Sequence, residues 1–166
     1  FDEIYEVLHG KELSYNNLLD TNFAFEFITE FKDEAPACVI VKHGNPCGVA
    51  IGSSLVDAYK KAFATDTVSP FGGIIIFNKK LDLETAQEVD KIFSEIILAP
   101  EYDDNALDLL MKKKNRRLIK YKFSDTHNFE LKKIAGGFLY QERDKVSVTK
   151  NTLKVVTEKP LDENYI

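Results

Sequence analysis

The stretch ACVIVKHGNPCGVA, residues 37–50, decides how the rest of the chain is read. It begins with a short continuous run of apolar and β-branched residues, the kind buried on both faces in a parallel sheet. The run stops abruptly at Lys42 and His43, and the chain then passes through Gly44, Asn45, Pro46, Cys47 and Gly48, which is ordinary turn vocabulary. Beyond the turn, Ser53 or Ser54 can cap a helix carrying Leu55, Ala58, Tyr59, Ala62 and Phe63 on one side. Asp57 is the expected capping-box partner of Ser54. The predicted order is strand, loop, helix.

That order recurs along the chain. GGIIIFN (72–78) reads as a second buried strand, and Asp82 caps a helix with Ala86, Val89, Ile92 and Phe93 on one stripe. EIILAP (95–100) is a third strand, DDNALDLLMKKK (103–114) a further helix and RLIKY (117–121) a fourth strand. Upstream, Ala24, Phe27, Ile28 and Phe31 mark one face of a helix within residues 20–31. FELKKIAGGFLYQERD (129–144) and TLKVVT (152–157) are predicted as further strands around the Gly136-Gly137 bend, with an antiparallel edge as the alternative in this region. Alternating strands and helices with short connections predict an α/β fold, a layered and mostly parallel sheet with flanking helices. Sites in such sheets form at the carboxyl ends of strands, where Lys42-His43 and SPFGG (69–73) are expected. Glu95 starts a strand, at the opposite end, so only the fold can bring it close.

Composition narrows the function classes. A chain of 166 residues that is 44% apolar can bury a substantial core and is read as a single domain over 1–166. Its net charge of −5 and pI near 5.3 argue against a nucleic-acid partner, because domains that bind phosphate backbones carry a basic stripe. The one basic run, KKKNRR (112–117), follows an apolar helical segment and is read as cations opposing the negative end of a helix dipole. No apolar segment approaches the ~18–20 residues that cross a bilayer, so no membrane partner and a cytoplasmic location are expected. Cys38 and Cys47 provide neither a disulfide framework nor a structural zinc site. The missing initiator Met and the close at LDENYI suggest a segment of a longer polypeptide.

The Lys-His pair has a chemical reading. Histidine exchanges protons near neutral pH, and a neighbouring ammonium stabilises negative charge developing on a carbonyl oxygen. Gly44 and Gly48 permit close approach of backbone to a ligand, and N–H groups at the entry to the helix near Ser53 can hold an anion. Together these suit base-assisted attack on a carbonyl by a phosphate-bearing substrate. The same pair also arises wherever a buried strand meets water. Phe71-Gly72-Gly73 can equally be a tight turn, Asn16-Asn17 turn or cap residues, and Glu95 a solvated strand end. Zinc-dependent nucleoside deaminases use H-x-E and P-C-x-x-C segments. Here Asn45 replaces the proton-shuttling Glu and Ala50 the second thiolate, so that zinc site cannot be assembled.

The segments GKELSYNNLLDT, VIVKHGNPCGVA, AYKKAFATDTVSPFGGIIIFN, IFSEIILAP and KKKNRRL, in this order, resemble the transformylase domain of the AICAR transformylase/IMP cyclohydrolase family, over roughly residues 8–160. The resemblance implies a cytidine-deaminase-like subdomain without a catalytic metal. It further implies formyl transfer from 10-formyltetrahydrofolate to the amine of AICAR, on the way to IMP. His43 matches the base and Lys42 the residue stabilising the transition state; Asn17, Gly72 and Glu95 match positions that contact the nucleotide. The family's partners are then the AICAR ribonucleotide and a folate, in an enzyme expected to be a homodimer that also carries cyclohydrolase activity. The chain matches the first transformylase subdomain alone, so little activity is expected of it in isolation. A non-catalytic nucleotide-binding module of the same fold is the alternative.

Overall fold

In the computed structural model, residues 3–124, 129–146 and 149–158 are described. They belong to two compact units, residues 1–125 and 126–166. The first unit contains β1 (Tyr5–His9), α1 (Tyr15–Thr29), β2 (Ala37–Lys42), β3 (Asn45–Ile51), α2 (Leu55–Thr65), β4 (Ile74–Phe77), α3 (Leu83–Val89), β5 (Ile96–Ala99), α4 (Asp104–Met111) and β6 (Arg117–Tyr121). Its six strands form one sheet in the order β1-β6-β5-β4-β2-β3. β4, β5 and β6 run parallel at the centre, whereas β1 is antiparallel to β6, and β2 is antiparallel to both β4 and β3. The class is α/β, as predicted, with a parallel centre and antiparallel flanks.

Strand alternation builds a core on each face. Cys38, Ile40, Ile75, Phe77, Ile97, Ala99 and Leu118 point to one side, where α2, α3 and α4 cover them with Ala58, Tyr59, Ala62, Ala86, Val89, Ala106 and Leu110. Val39, Val41, Ile74, Ile76, Ile96, Leu98, Ile119 and Tyr121 point to the other, under Ala24, Phe25 and Ile28 of α1. Burial of both faces therefore comes from helices above and below, even for β2, which has no parallel neighbour. Each fully enclosed Ile or Leu contributes about 1.5–3 kcal/mol relative to exposure.

The expectation that fails is the loop after Lys42. GNPCGVA is largely strand: β2 and β3 form a hairpin whose two-residue turn, His43-Gly44, has positive φ at both positions (55° and 71°). That is the pattern of a type I′ turn, whose twist matches that of the paired strands. Pro46 is tolerated because β3 is an edge strand, and Cys47 is the extra residue where the register shifts between Ile40 and Val41. The cap on α2 is Ser54, whose hydroxyl accepts the Asp57 N–H, while Asp57 accepts from Ser53 rather than closing a box on Ser54. Because Ile51 pairs with Ala37, this helix start lies at the far end of the hairpin from His43. Its amides cannot serve a ligand at the Lys-His pair.

The second unit holds the antiparallel hairpin β7 (Phe129–Ile134) and β8 (Gly137–Glu142) around the predicted glycine bend. The strand predicted at TLKVVT is absent: a 3₁₀ turn occupies Lys150–Thr152, and residues 153–158 form no strand.

Candidate functional site

The reversal of β2 determines which groups meet. Val41 at its carboxyl end pairs with Ile74 at the amino end of β4, and Ile96 and Arg117 continue that row at the amino ends of β5 and β6. The Lys-His pair therefore joins the amino ends of the parallel strands, where Gly72 and Glu95 also lie. The predicted carboxyl-end location holds for β2 alone.

A cleft of about 210 Å³ opens here, lined by Ser14, Asn16, Asn17, Asp20, Lys42, His43, Gly72, Gly73, Ile74 and Glu95. All five predicted site residues, His43, Lys42, Asn17, Gly72 and Glu95, are brought together from four separate segments.

Each is fixed by identifiable bonds. His43 is exposed at the hairpin tip and is the one non-glycine residue with positive φ among the described residues. Its carbonyl accepts from Asn45 Nδ2 (3.1 Å), and the next amide, Gly44 N–H, donates to Asp20 Oδ1 of α1 (2.8 Å). Lys42 Nζ donates to the carbonyl of Phe71 (2.8 Å), which leaves two of its three protons for other acceptors. Gly72 has φ 71°, donates its N–H to Phe93 O (2.7 Å), and has nothing within 4 Å of the position a Cβ would take. The backbone there is open to a ligand.

Asn17 is both cap and site residue. As the third residue of α1 it closes a capping box: Ser14 N–H donates to Asn17 Oδ1 (3.1 Å) and Asn17 N–H to Ser14 Oγ (3.2 Å). Its amide nitrogen then donates to Glu95 Oε1 (2.9 Å), which also accepts from Arg117 Nη1 (3.1 Å). The rest of the Arg117 guanidinium donates to the carbonyls of Lys11 and Glu12. No hydrogen bond engages Glu95 Oε2 among the described residues, so that oxygen can accept from a ligand.

Sequence reasoning missed Asp20 and Arg117. Asp20 had no signal beyond its place in the SYNNLLDT segment. Arg117 belongs to the basic run, and that run works through ion pairs: Arg116 and Lys113 both reach Asp90 Oδ1 (2.6 and 3.0 Å), and Arg117 reaches Glu95. No group of three or more His, Cys, Asp or Glu side chains converges among the described residues. Cys47 Sγ, beside the missing deaminase motif, contacts the Ile40 carbonyl at 3.6 Å.

Comparison with solved structures finds the apo dCMP deaminase of cyanophage S-TIM5, with a TM-score of 0.45 and 8% identity over 61% of this chain and 95% of that one. A putative formate dehydrogenase accessory protein from Desulfotalea psychrophila gives 0.49 and 13%, covering 67% of this chain and 53% of that one. Sequence relatives are nearer. The chain is 55% identical to the bifunctional purine biosynthesis protein PurH of Chlorobium phaeobacteroides (strain BS1), over 96% of this chain and 30% of the relative. It is 50% identical to the PurH of Thermoanaerobacter sp. (strain X514), over 93% and 30%. The chain spans about a third of the length of these curated relatives. The family model of the AICARFT/IMPCHase bienzyme matches residues 2–166, and the chain belongs to that family.

Proposed function

We propose that the chain is the first subdomain of the transformylase region of a bifunctional purine-synthesis enzyme, and that its cleft takes part in formyl transfer from 10-formyltetrahydrofolate to AICAR. The observation that carries this reading is the convergence of Lys42, His43, Asn17, Gly72 and Glu95 on one cleft. The AICAR amine is a poor nucleophile because its lone pair is delocalised, so it must lose a proton as it attacks the formyl carbon. His43 at the hairpin tip takes that proton, and the ammonium of Lys42 faces the oxyanion of the tetrahedral intermediate. Collapse breaks the bond to the folate N10, which takes the proton back from His43 and leaves as tetrahydrofolate, and the formyl group stays on the substrate nitrogen. Glu95 Oε2 accepts a hydrogen bond from the nucleotide, and the open backbone at Gly72 lets the ligand lie close.

The cleft lined by this chain is smaller than the ~300–1,000 Å³ usual for small-molecule sites. This supports a site completed by further parts of a longer enzyme and little turnover by the 166 residues alone; the same reading makes that enzyme homodimeric, cytoplasmic and a carrier of the cyclohydrolase as well. The test is AICAR-dependent loss of 10-formyltetrahydrofolate, followed optically, for the full-length enzyme and its His43→Ala variant. Turnover is expected to fall by about 10²–10⁴-fold, the range for loss of a general base, with AICAR binding largely retained. Equal rates in the two proteins would overturn the assignment of His43; no turnover in the full-length enzyme would favour a binding module.

A further inference from the structure

We propose that Asp20 is the positioning residue for His43, acting through the amide of Gly44; the inference rests on the formyltransferase reading above. A histidine in the left-handed region is held against a steric cost between its Cβ and the following carbonyl, so something must make that conformation the stable one. In a two-residue hairpin turn of this pattern the closing hydrogen bond joins the residues on either side, Lys42 and Asn45, and leaves the second turn amide without a partner from the hairpin. That amide is Gly44 N–H, and Asp20 Oδ1 takes it at 2.8 Å.

The geometry around this bond points the same way. Asp20 lies one turn along α1 from Asn17, so a single helix end holds both His43, through Gly44, and Glu95, through the Asn17 amide. Phe23, a further turn along, packs its ring 3.1 Å from where a Cβ on Gly44 would be, so the turn is pressed against α1 by contact as well as by the bond. A side chain at Gly44 would meet both the strain of φ 71° and a tight contact with that ring. Asn45 Nδ2, donating to His43 O, fixes the other side of the turn. Asp20 also lines the cleft, yet its role is derived from the backbone it holds rather than from contact with a reacting atom. A general base must stay within hydrogen-bond reach of its proton, and a displacement near 1 Å costs on the order of 10²-fold in rate.

The test compares Asp20→Asn, Asp20→Glu and Asp20→Ala in the full-length enzyme, with His43→Ala as reference and circular dichroism to check folding. Asparagine keeps the acceptor oxygen, glutamate keeps the charge but moves the acceptor by one methylene, and alanine removes both. The expected result is kcat within about threefold of the parent for Asp20→Asn, and a fall of about 10–100-fold for Asp20→Glu and Asp20→Ala. KM for AICAR should change by less than about threefold in all three, and Asp20→Ala should slow the His43→Ala enzyme no further. Unchanged kcat in Asp20→Glu, or an equal loss in Asp20→Asn, would overturn the inference; if alanine prevents folding, the Asn and Glu pair still decides. A His43→Ala enzyme as fast as the parent would instead overturn the underlying reading.

Discussion

Glu95, directly ahead of a buried strand, keeps one carboxylate oxygen without a hydrogen bond among the described residues at the edge of the cleft. One carboxylate oxygen is held by the Asn17 amide and by Arg117, whose side chain is only 11% exposed, while the Glu95 side chain is 39% exposed. Arg117 is tethered through its remaining nitrogens to the carbonyls of Lys11 and Glu12, just ahead of the Ser14 cap, so it joins Glu95 to the segment that starts α1. Removing the guanidinium should let Glu95 turn away and loosen the helix start together. Arg117→Met in the full-length enzyme is expected to weaken AICAR binding by about tenfold, near 1.4 kcal/mol, measured by calorimetric titration. Glu95→Gln should weaken it by a similar factor, and the double variant by little more than either, because both act on one contact. Multiplicative losses would show that Arg117 acts elsewhere.

At the scale of elements, the β2–β3 hairpin determines what else can be present. β3 packs on α2 so closely that a Cβ on Gly48 would lie 2.1 Å from the Ala62 carbonyl, a contact no rotamer relieves because both partners are backbone. Gly48→Ala is expected to destabilise by about 1–3 kcal/mol, seen as a Tm drop of about 2–4 °C per kcal/mol. Gly137→Ala meets nothing within 4 Å and should leave Tm nearly unchanged. The hairpin is also where reading the sequence stopped short. Apolar runs at 37–42, 74–77, 96–99 and 117–121 identify their strands because each is enclosed by helices on both faces, and Ser54 and Asp82 announce their helices through caps that form. NPCGVAI gives no such signal: proline and glycine are turn residues by composition, and they are strand residues here only because an edge position excuses the missing N–H and a helix needs the missing side chain. YEVLH at β1, also at an edge and half-exposed, is equally silent. The site was legible as a set of motifs, and their meeting point was not, since it depends on β2 running against β4. Asp20 and Arg117 act through bonds across 24 and 22 residues, beyond any local pattern.

For the first unit as a whole, the connection from α3 through α4 back to the sheet is secured by a charge placed where water cannot reach it. Arg116 is fully buried, and its guanidinium donates to Asp90 at the end of α3 (2.6 Å) and to the Ile92 carbonyl (3.3 Å). Lys113 meets the same carboxylate at 3.0 Å. Burial by itself would raise the Asp90 pKa; the hydrogen bonds and charges of Arg116 and Lys113 outweigh it and hold the carboxyl below its ordinary value. A depressed pKa means that the folded state binds this proton less readily than the unfolded chain. The stabilisation is therefore present above the unfolded value of about 3.9 and is lost as pH falls through the lower folded value. Asp90→Asn leaves Arg116 buried without its counter-charge. The expected cost is about 2–3 kcal/mol at pH 7, below the ~3–5 kcal/mol of a fully enclosed pair because the Asp90 side chain is 28% exposed. Thermal unfolding of parent and variant across pH 2–7 provides the check. The gap in Tm should be wide and flat from pH 7 to about 5 and should narrow below about pH 4 as the parent loses the same interaction. A gap that persists unchanged to pH 2 would mean that Asp90 holds Arg116 by shape rather than by charge. Because Arg117 follows directly and holds Glu95, the variant should also weaken ligand binding, linking the buried ion pair to the cleft through one peptide unit.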